Sequence, residues 1–179
     1  MRIITGKARG IKLDSPYGDE VRPTTEMAKE GIFSAIQFDI EGRRFLDLFA
    51  GSGQMGLEAL SRGALSSVFV DSSNDSIRVL KENIFSVGFG ENSTVIRSDA
   101  LSFLSLTKET FDIAFLDPPY AAGLLEKSLE AVSKKMSDFG IIICEHPFEV
   151  ALPESVNGFS VFKRYRYGKI NVTTYKKEN

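Results

Sequence analysis

The sequence predicts an α/β fold in which helices cover both faces of a mostly parallel β-sheet. Short, continuously apolar runs alternate along the chain with stretches whose apolar residues recur at helical spacing. Continuous apolar strands are typical of parallel sheets that are buried on both faces. Near the carboxyl end, two strand-like segments flank a short turn at Gly168, which predicts a hairpin and an antiparallel edge. The length of 179 residues predicts one domain, over residues 1–179.

The amino-terminal elements precede this alternation. Residues 1–20 form a predicted extension, in which segments 2–5 and 11–14 pair as a small β-hairpin. A helix is predicted from Thr24 to about Phe38, because its apolar residues recur at helical spacing.

The sheet and its connecting helices then follow in chain order. The expected strands cover 45–49, 67–71, 94–96, 111–116 and 140–144, with the hairpin strands at 159–165 and 170–176. The expected helices cover 54–62, about 74–87, 100–106 and an apolar stripe from Leu125 to Met136. Asn74 is the predicted N-cap of the second of these helices, and Gly88 is its predicted stop.

Composition argues against several kinds of site and location. The chain has one cysteine, Cys144, and one histidine, His146, so we expect neither an internal disulfide nor a Cys/His zinc cluster, and we predict no metal. No apolar run approaches the roughly 18 residues of a membrane helix, and the first residues lack the features of a secretory leader. These observations favour a cytoplasmic protein with no membrane partner.

Charge is distributed unevenly along the chain. The net charge is −2, but residues 1–12 carry +4, residues 163–179 carry +5, and the residues between them carry −11. If the two ends meet, they form a basic patch of the kind that replaces phosphate counterions on nucleic acid, although basic tails also serve solubility alone. The candidate RNA-binding residues at the two ends are Arg2, Lys7, Arg9, Lys12, Lys163, Arg164 and Arg166.

A glycine-rich turn follows the first strand of the alternation. Gly51 and Gly53 open a G-x-G-x-x-G motif, which lets backbone approach a ligand beyond the strand ends. Asp71 lies 20 residues after Gly51, where a carboxylate can accept hydrogen bonds from both hydroxyls of a ribose. Phe49 and Ser72 flank these residues and are included as candidate cofactor-binding residues. The pattern fits both NAD and S-adenosylmethionine.

Two further carboxylates favour S-adenosylmethionine. Asp47 lies inside the first strand end, where it would repel a pyrophosphate but attract the cationic amine of a methionine moiety. Its alternative role is to cap the turn. Asp99, followed by Ala100, comes after the third strand and suits an adenine amine, although it is also a good N-cap for the next helix. The chain also lacks the second half of a full dinucleotide-binding fold.

A diproline corner, Asp117-Pro118-Pro119-Tyr120, ends the fourth strand. Its prolines fix φ and donate no N–H, which leaves carbonyl oxygens free to point into the crevice. The Asp117 side chain and the Pro118 carbonyl can both accept hydrogen bonds from one exocyclic amine and aim its lone pair at a methyl group. Tyr120 is expected to stack on an extruded base. The predicted reaction is in-line displacement at a sulfonium methyl, catalysed by positioning and electrostatics.

Other segments extend this pattern over nearly the whole chain. They are Met1–Gly6, Arg22–Thr25, Leu57–Ala64, Glu145-His146 and Tyr167-Gly168. Together with the glycine turn and the diproline corner, they resemble the RsmD family of 16S ribosomal RNA guanine-N2 methyltransferases, which use S-adenosyl-L-methionine. The resemblance implies a Rossmann-like, seven-stranded methyltransferase sheet. It also implies a guanine of 16S rRNA as target, within the 30S subunit or an assembly intermediate.

The resemblance also implies residue roles. Asp47, Gly51 and Gly53 would contact the methionine end of the cofactor, Asp71 the ribose, Asp99 the adenine, and Asp117 to Tyr120 the guanine. Arg22 either lines the cofactor mouth with Thr24 or serves RNA. The pI of 5.6 is low for a protein that binds bare RNA, which fits dependence on protein partners.

Two other functions stay open from the residues alone. The diproline corner also permits an adenine-N6 amino-methyltransferase acting on DNA or RNA, although DNA enzymes of this kind usually add a target-recognition domain. A non-enzymatic nucleic-acid-binding module is the other alternative, and the intact Asp117 to Tyr120 segment argues against it. His146, at a strand end, is either structural or a donor to substrate.

Overall fold

In a computed structural model, which describes residues 1–16, 24–119 and 123–177, the chain forms one sheet of eight strands. The strands are β1 (Arg44–Asp47), β2 (Ser66–Asp71), β3 (Ser93–Arg97), β4 (Phe111–Leu116), β5 (Met136–Pro147), β6 (Ser155–Val156), β7 (Phe159–Tyr167) and β8 (Ile170–Lys177). The helices are α1 (Glu26–Ala35), α2 (Gln54–Ser61), α3 (Asn74–Val87), α4 (Ala100–Leu106) and α5 (Leu124–Ser133), and a single 3-10 turn covers Gly90–Asn92.

The strand order across the sheet is β3-β2-β1-β4-β5-β8-β7-β6. β1 to β5 pair in parallel, whereas β8, β7 and β6 run antiparallel to their neighbours. The chain reverses its direction of winding between β1 and β4, and such a switch point opens a ligand crevice at the carboxyl ends of the strands. The predicted parallel sheet with an antiparallel carboxyl-terminal edge is confirmed.

Apolar side chains pack on both faces of this sheet. One core joins the amino-terminal residues to α1, α2 and α3, with Ile3, Phe33 and Leu57 fully buried. The other core packs α4 and α5 on the opposite face, around Leu104 and Leu129. Burial from both sides explains why the central strands are continuously apolar. None of the helices described is long and apolar enough to cross a membrane.

A buried carboxylate on α2 holds the amino-terminal segment in place. Glu58 is fully buried and accepts hydrogen bonds from the backbone N–H groups of Ile4 and Thr5, at 2.9 and 3.0 Å. It also pairs with Arg62 at 3.0 Å and with buried Lys29 at 3.8 Å. Burial lowers the pKa of Lys29, and the charge of Glu58 opposes that effect. The segment is therefore fixed against the body of the fold.

The predicted amino-terminal hairpin is reduced to one antiparallel bridge, between Arg2 and Lys12. The backbone N–H of Ile3 donates to Ile11 O at 2.9 Å, so the two segments pair as expected. Instead of extending the ladder, the backbone N–H groups of Ile4 and Thr5 donate to Glu58 of α2, and that of Asp14 donates to Asn83 of α3. The pairing is confirmed, but regular strands over 2–5 and 11–14 are not formed.

Several predicted boundaries are wrong. α1 ends at Ala35, short of Phe38. Met136 belongs to β5, because it pairs with Phe111 of β4 instead of continuing the apolar stripe of α5. The N-cap of α3 is Ser73, whose side chain accepts from the backbone, and not Asn74. The two-residue β6 was not predicted, and it brings the sheet to eight strands where seven were expected.

Candidate active site

A cavity of about 1350 Å³ opens at the carboxyl ends of the parallel strands. The carboxyl ends of β1 to β5 and the loops that follow them line it, and they contribute Asp47, Asp71, Asp99, Asp117 and Glu145. The amino-terminal segment and the turn between β7 and β8 also line it. The two chain ends, which carry the basic residues, therefore reach the same cavity.

The two glycines that open the glycine-rich turn, Gly51 and Gly53, have different surroundings. Gly51 lines the cavity, and its backbone N–H donates to Asp71 Oδ2 at 2.8 Å. Gly53 has a positive φ of +83° as the N-cap of α2, and a Cβ there would lie 2.2 Å from Leu80 Cδ1 in the core. A side chain at this position would therefore enter the core, and the expected contact of the Gly53 backbone with the cofactor stays a prediction.

Asp71 is held rigidly at the end of β2. Its Oδ2 accepts from Gly51 and its Oδ1 accepts from the Ser73 backbone N–H at 2.9 Å. Ser72, beside it, also lines the cavity, as does Phe49 after β1. This fixed, partly exposed carboxylate is placed where the proposed ribose contact needs an acceptor, and that role stays a prediction.

Asp47 is buried and both caps the turn and lines the cavity. Its Oδ2 accepts the Gly56 backbone N–H at 3.0 Å, which satisfies one of the free donors at the start of α2. The pKa of Asp47 is raised to about 7, mainly by burial and also by the charge of Asp71, while the Gly56 hydrogen bond acts in the opposite direction. A carboxyl poised in this way binds a cationic ligand by losing its proton.

Asp99 is exposed and caps α4, with Oδ1 accepting from the Ser102 backbone N–H at 3.0 Å. The hydrogen bonds from Ser102 lower the pKa of Asp99, so the carboxylate stays charged. Asp99 and Ala100 both line the cavity. The capping role is confirmed, and the contact with an adenine stays a prediction.

Three carboxyl groups lie on one side of the sheet at the ends of three adjacent strands. Asp47 ends β1, Asp117 follows β4 and Glu145 lies in β5, each continuing the alternation of residues that face α1. Asp117 is mostly buried, and its pKa is raised by burial and then by the charges of Glu145 and Asp47. Thr24 opposes that shift through a hydrogen bond to Asp117. The arrangement is a site of concentrated negative potential.

Thr24 and Glu145 both line the cavity, and their hydrogen bond to each other was not predicted. The Thr24 hydroxyl donates to Glu145 Oε2 at 2.7 Å, and Gln54 Nε2 donates to Thr24 O at 3.1 Å. These bonds tie the start of α1 to β5 and α2 behind Asp117. Pro118 and Pro119 also line the cavity, and the role of their carbonyl oxygens stays a prediction. Tyr120 and Arg22 lie outside the described residues.

Asn83 of α3 joins the amino-terminal segment to the glycine turn. Its Oδ1 accepts from the Asp14 backbone N–H at 2.9 Å, and its Nδ2 donates to Asp14 O and Ser52 O at 3.0 and 2.9 Å. Ser15 and Pro16, the next residues, are part of the cavity wall. Asn83 therefore fixes one wall of the cavity, and the helical apolar stripe around it concealed this polar role.

His146 is buried in the sheet and also lines the cavity, so both roles expected from the sequence stay open. Its Nε2 lies 2.8 Å from Thr173 Oγ1 and its Nδ1 lies 3.0 Å from Pro147 O. Both ring nitrogens therefore have hydrogen-bond partners in β8 and β5. Burial lowers the pKa of His146. Cys144 is buried, and burial raises the pKa of its thiol.

The basic residues divide into paired and open groups. Arg2 pairs with Glu26 at 3.0 Å, and Arg164 pairs with Glu154, so their charges are partly offset. Such exposed pairs contribute little and can be exchanged for phosphate. The remaining candidate residues of the two ends are exposed: Lys7, Arg9, Lys12, Lys163 and Arg166. Their contact with RNA stays a prediction.

Comparison with known proteins gives a consistent family assignment. A family model described as "Conserved hypothetical protein 95" matches residues 1–176. YlbH of Bacillus subtilis (strain 168) is 39% identical and covers 99% of this chain and 99% of its own length. Ribosomal RNA small subunit methyltransferase D of Escherichia coli (strain K12) is 33% identical over 99% of this chain and 90% of its own length. The solved structure of yhhF from Escherichia coli superposes with a TM-score of 0.91 at 32% identity, over 99% of this chain and 98% of that one.

Proposed function

The chain belongs to the family described as Conserved hypothetical protein 95, the family of the Ribosomal RNA small subunit methyltransferase D proteins, and from this premise we propose its reaction. It transfers a methyl group from S-adenosylmethionine to the exocyclic N2 amine of a guanine in 16S rRNA. Methylation of small-subunit rRNA follows from the family, whereas guanine N2 is the finer proposal.

The residues of the cavity fit S-adenosylmethionine. Asp71 offers a fixed acceptor for the ribose, Asp99 an exposed acceptor for the adenine amine, and Asp47 a partner for the cationic methionine amine. Gly51, beside them, keeps the turn free of side-chain bulk. Bound there, the cofactor supplies an electrophilic methyl group on a sulfonium. The chain needs only to place an amine in line with it.

One observation carries the proposal: the Asp117-Pro118 corner lines the same cavity as the carboxyl groups proposed to bind the cofactor, those of Asp47, Asp71 and Asp99. Asp117 and the Pro118 carbonyl accept the two hydrogens of one exocyclic amine. As the N–C bond forms and the S–C bond breaks, the amine becomes acidic and releases one proton. The raised pKa of Asp117 makes its carboxylate a better acceptor for that proton than an ordinary aspartate.

The substrate is proposed to be rRNA within the 30S subunit or an assembly intermediate. The overall charge of the chain is −2, and acidic residues line the cavity. Both weaken the attraction to the phosphates of bare RNA. Ribosomal proteins would then supply part of the binding surface.

The test is the mass of the modified nucleoside. Undermodified 30S particles, protein-free 16S rRNA and unmodified DNA are each incubated with labelled S-adenosylmethionine, digested and analysed. We expect N2-methylguanosine from 30S particles. Label in N6-methyladenosine, or in DNA alone, would contradict the proposal and favour an adenine-N6 enzyme. Asp117→Ala serves as the control that removes transfer.

A further inference from the structure

An aromatic side chain and a guanidinium group form an exposed pair next to residues that line the cavity. Phe148 follows β5 directly, and 56% of its surface is exposed. The guanidinium carbon of Arg166 lies 4.6 Å from the centre of the Phe148 ring. Arg166 Nε donates to Gly168 O at 3.0 Å, which holds the guanidinium in place. The pair is thus built by two segments, one after β5 and one at the end of β7.

The pair lies between residues that line the cavity. Pro147 and Val150 line it on one side of Phe148, and Tyr167 and Gly168 line it next to Arg166. Pro147 also pairs with Ile170 across β5 and β8, which holds the two segments side by side. Phe148 and Arg166 therefore border the cavity without being among its lining residues.

If a base is extruded from the RNA into the cavity, the base next to it requires a new stacking surface nearby. When a base leaves its stack, the neighbouring base loses a stacking partner, and the enzyme must offset the free-energy cost. Aromatic rings and arginine planes are the surfaces on which proteins stack unpaired RNA bases. The positive charges of Arg166 and Lys169 suit the adjoining phosphate, whereas Glu149, next to Phe148 in the chain, is acidic.

We propose that Phe148 and Arg166 form a stacking platform for an unpaired RNA base next to the base that enters the cavity. The platform recognises the flanking nucleotide and offsets part of the cost of extrusion. This inference rests on the proposed function, because it assigns the pair to the substrate of the same cavity.

Phe162 provides a matched control. It is also 56% exposed, and Lys176 Nζ lies 4.1 Å from the centre of its ring. It belongs to β7, as Arg166 does, but lies five residues before Tyr167, a distance of about 17 Å along a strand. Phe162 therefore matches Phe148 in exposure and in its cationic neighbour, but not in position.

The test uses the absence of tryptophan from the chain. Phe148→Trp and Phe162→Trp each carry a single fluorophore, titrated with protein-free 16S rRNA at low salt. We expect rRNA to quench emission at position 148 at least two-fold more strongly than at position 162, which lies beside the candidate RNA-binding residues Lys163 and Arg164. Equal quenching at both positions, or none at 148, would overturn the platform. Since this readout needs no turnover, it decides the platform even if the proposed reaction fails.

Kinetics on undermodified 30S particles give the second measurement. Phe148→Ala should lower kcat/KM by roughly ten-fold, as expected for the loss of one base–aromatic contact, and leave the Kd for S-adenosylmethionine unchanged. Phe162→Ala should stay within two-fold of the wild type. A Phe148→Ala enzyme with wild-type kcat/KM would refute the inference. Absence of methylation by the wild-type protein would instead refute the proposed function.

Discussion

Lowering the pH from 7.0 to 5.5 should weaken the binding of S-adenosylmethionine by about 16-fold, because Asp47 must be ionised to pair with the cationic amine. With a pKa of about 7, Asp47 is about half ionised at pH 7.0 and about 3% ionised at pH 5.5. If only the ionised form binds the amine, the apparent affinity follows that fraction. The α-amino group has an ordinary pKa of about 8, so it stays cationic throughout this range.

Isothermal titration calorimetry measures both consequences of this titration. The Kd is determined across pH 5.5 to 7.0, and the number of protons released at pH 7.0 is obtained from buffers of different ionisation enthalpy. Since the bound amine favours the ionised form, binding at pH 7.0 should release about half a proton. Uptake of protons on binding would contradict the prediction that Asp47 loses a proton when the amine binds.

Two isosteric variants separate Asp47 from its neighbours. Asp47→Asn keeps an acceptor for the Gly56 N–H but has no proton to lose, so its Kd should be weak and nearly independent of pH. Asp99→Asn is the control, because the pKa of Asp99 is lowered and its titration lies below this range. The reasoning fails if Asp47→Asn keeps the pH dependence of the wild type. In that case Asp117, whose pKa is also raised, becomes the titrating group.

Three further predictions test the site and its support. Asp117→Ala should lower kcat by at least about 100-fold and change the Kd for S-adenosylmethionine by less than two-fold, as measured by single-turnover kinetics and calorimetry. Glu58→Gln should lower the free energy of unfolding in urea by about 3 kcal/mol, because it leaves Lys29 buried without its charge partner. Gly53→Ala should destabilise by more than Gly10→Ala: both glycines have positive φ, but only a side chain at Gly53 would meet Leu80.

The strands and helices could be predicted because their signals are local. Continuous apolar runs gave β1 to β5, and the residues around Gly168 gave the hairpin of β7 and β8. Boundaries were less accurate where tertiary contacts decide them, as at Met136, whose apolar side chain suits either a helix or a strand. The pairing with Phe111, made by another part of the chain, settled the choice.

The candidate site was predictable only in part, for a related reason. Asp47, Asp71, Asp99 and Asp117 stand at strand ends, and parallel strands bring their carboxyl ends to one edge. The bond from Thr24 to Glu145 spans 121 residues and depends on which strand lies beside β4. Gly51 and Gly53 carry the same signal in sequence, and the sequence does not show that a side chain at Gly53 would meet Leu80 in the core.

The row of carboxyl groups decides between the two cofactors that the glycine motif allows. Asp47, Asp117 and Glu145 lie on one side of adjacent strands, and their mutual repulsion contributes to the raised pKa of Asp117. A pyrophosphate placed there would add negative charge to groups that already resist ionisation. A ligand with a sulfonium and an ammonium would relieve the repulsion and favour the ionised carboxylates. Electrostatics at this edge of the sheet therefore favour S-adenosylmethionine over a dinucleotide.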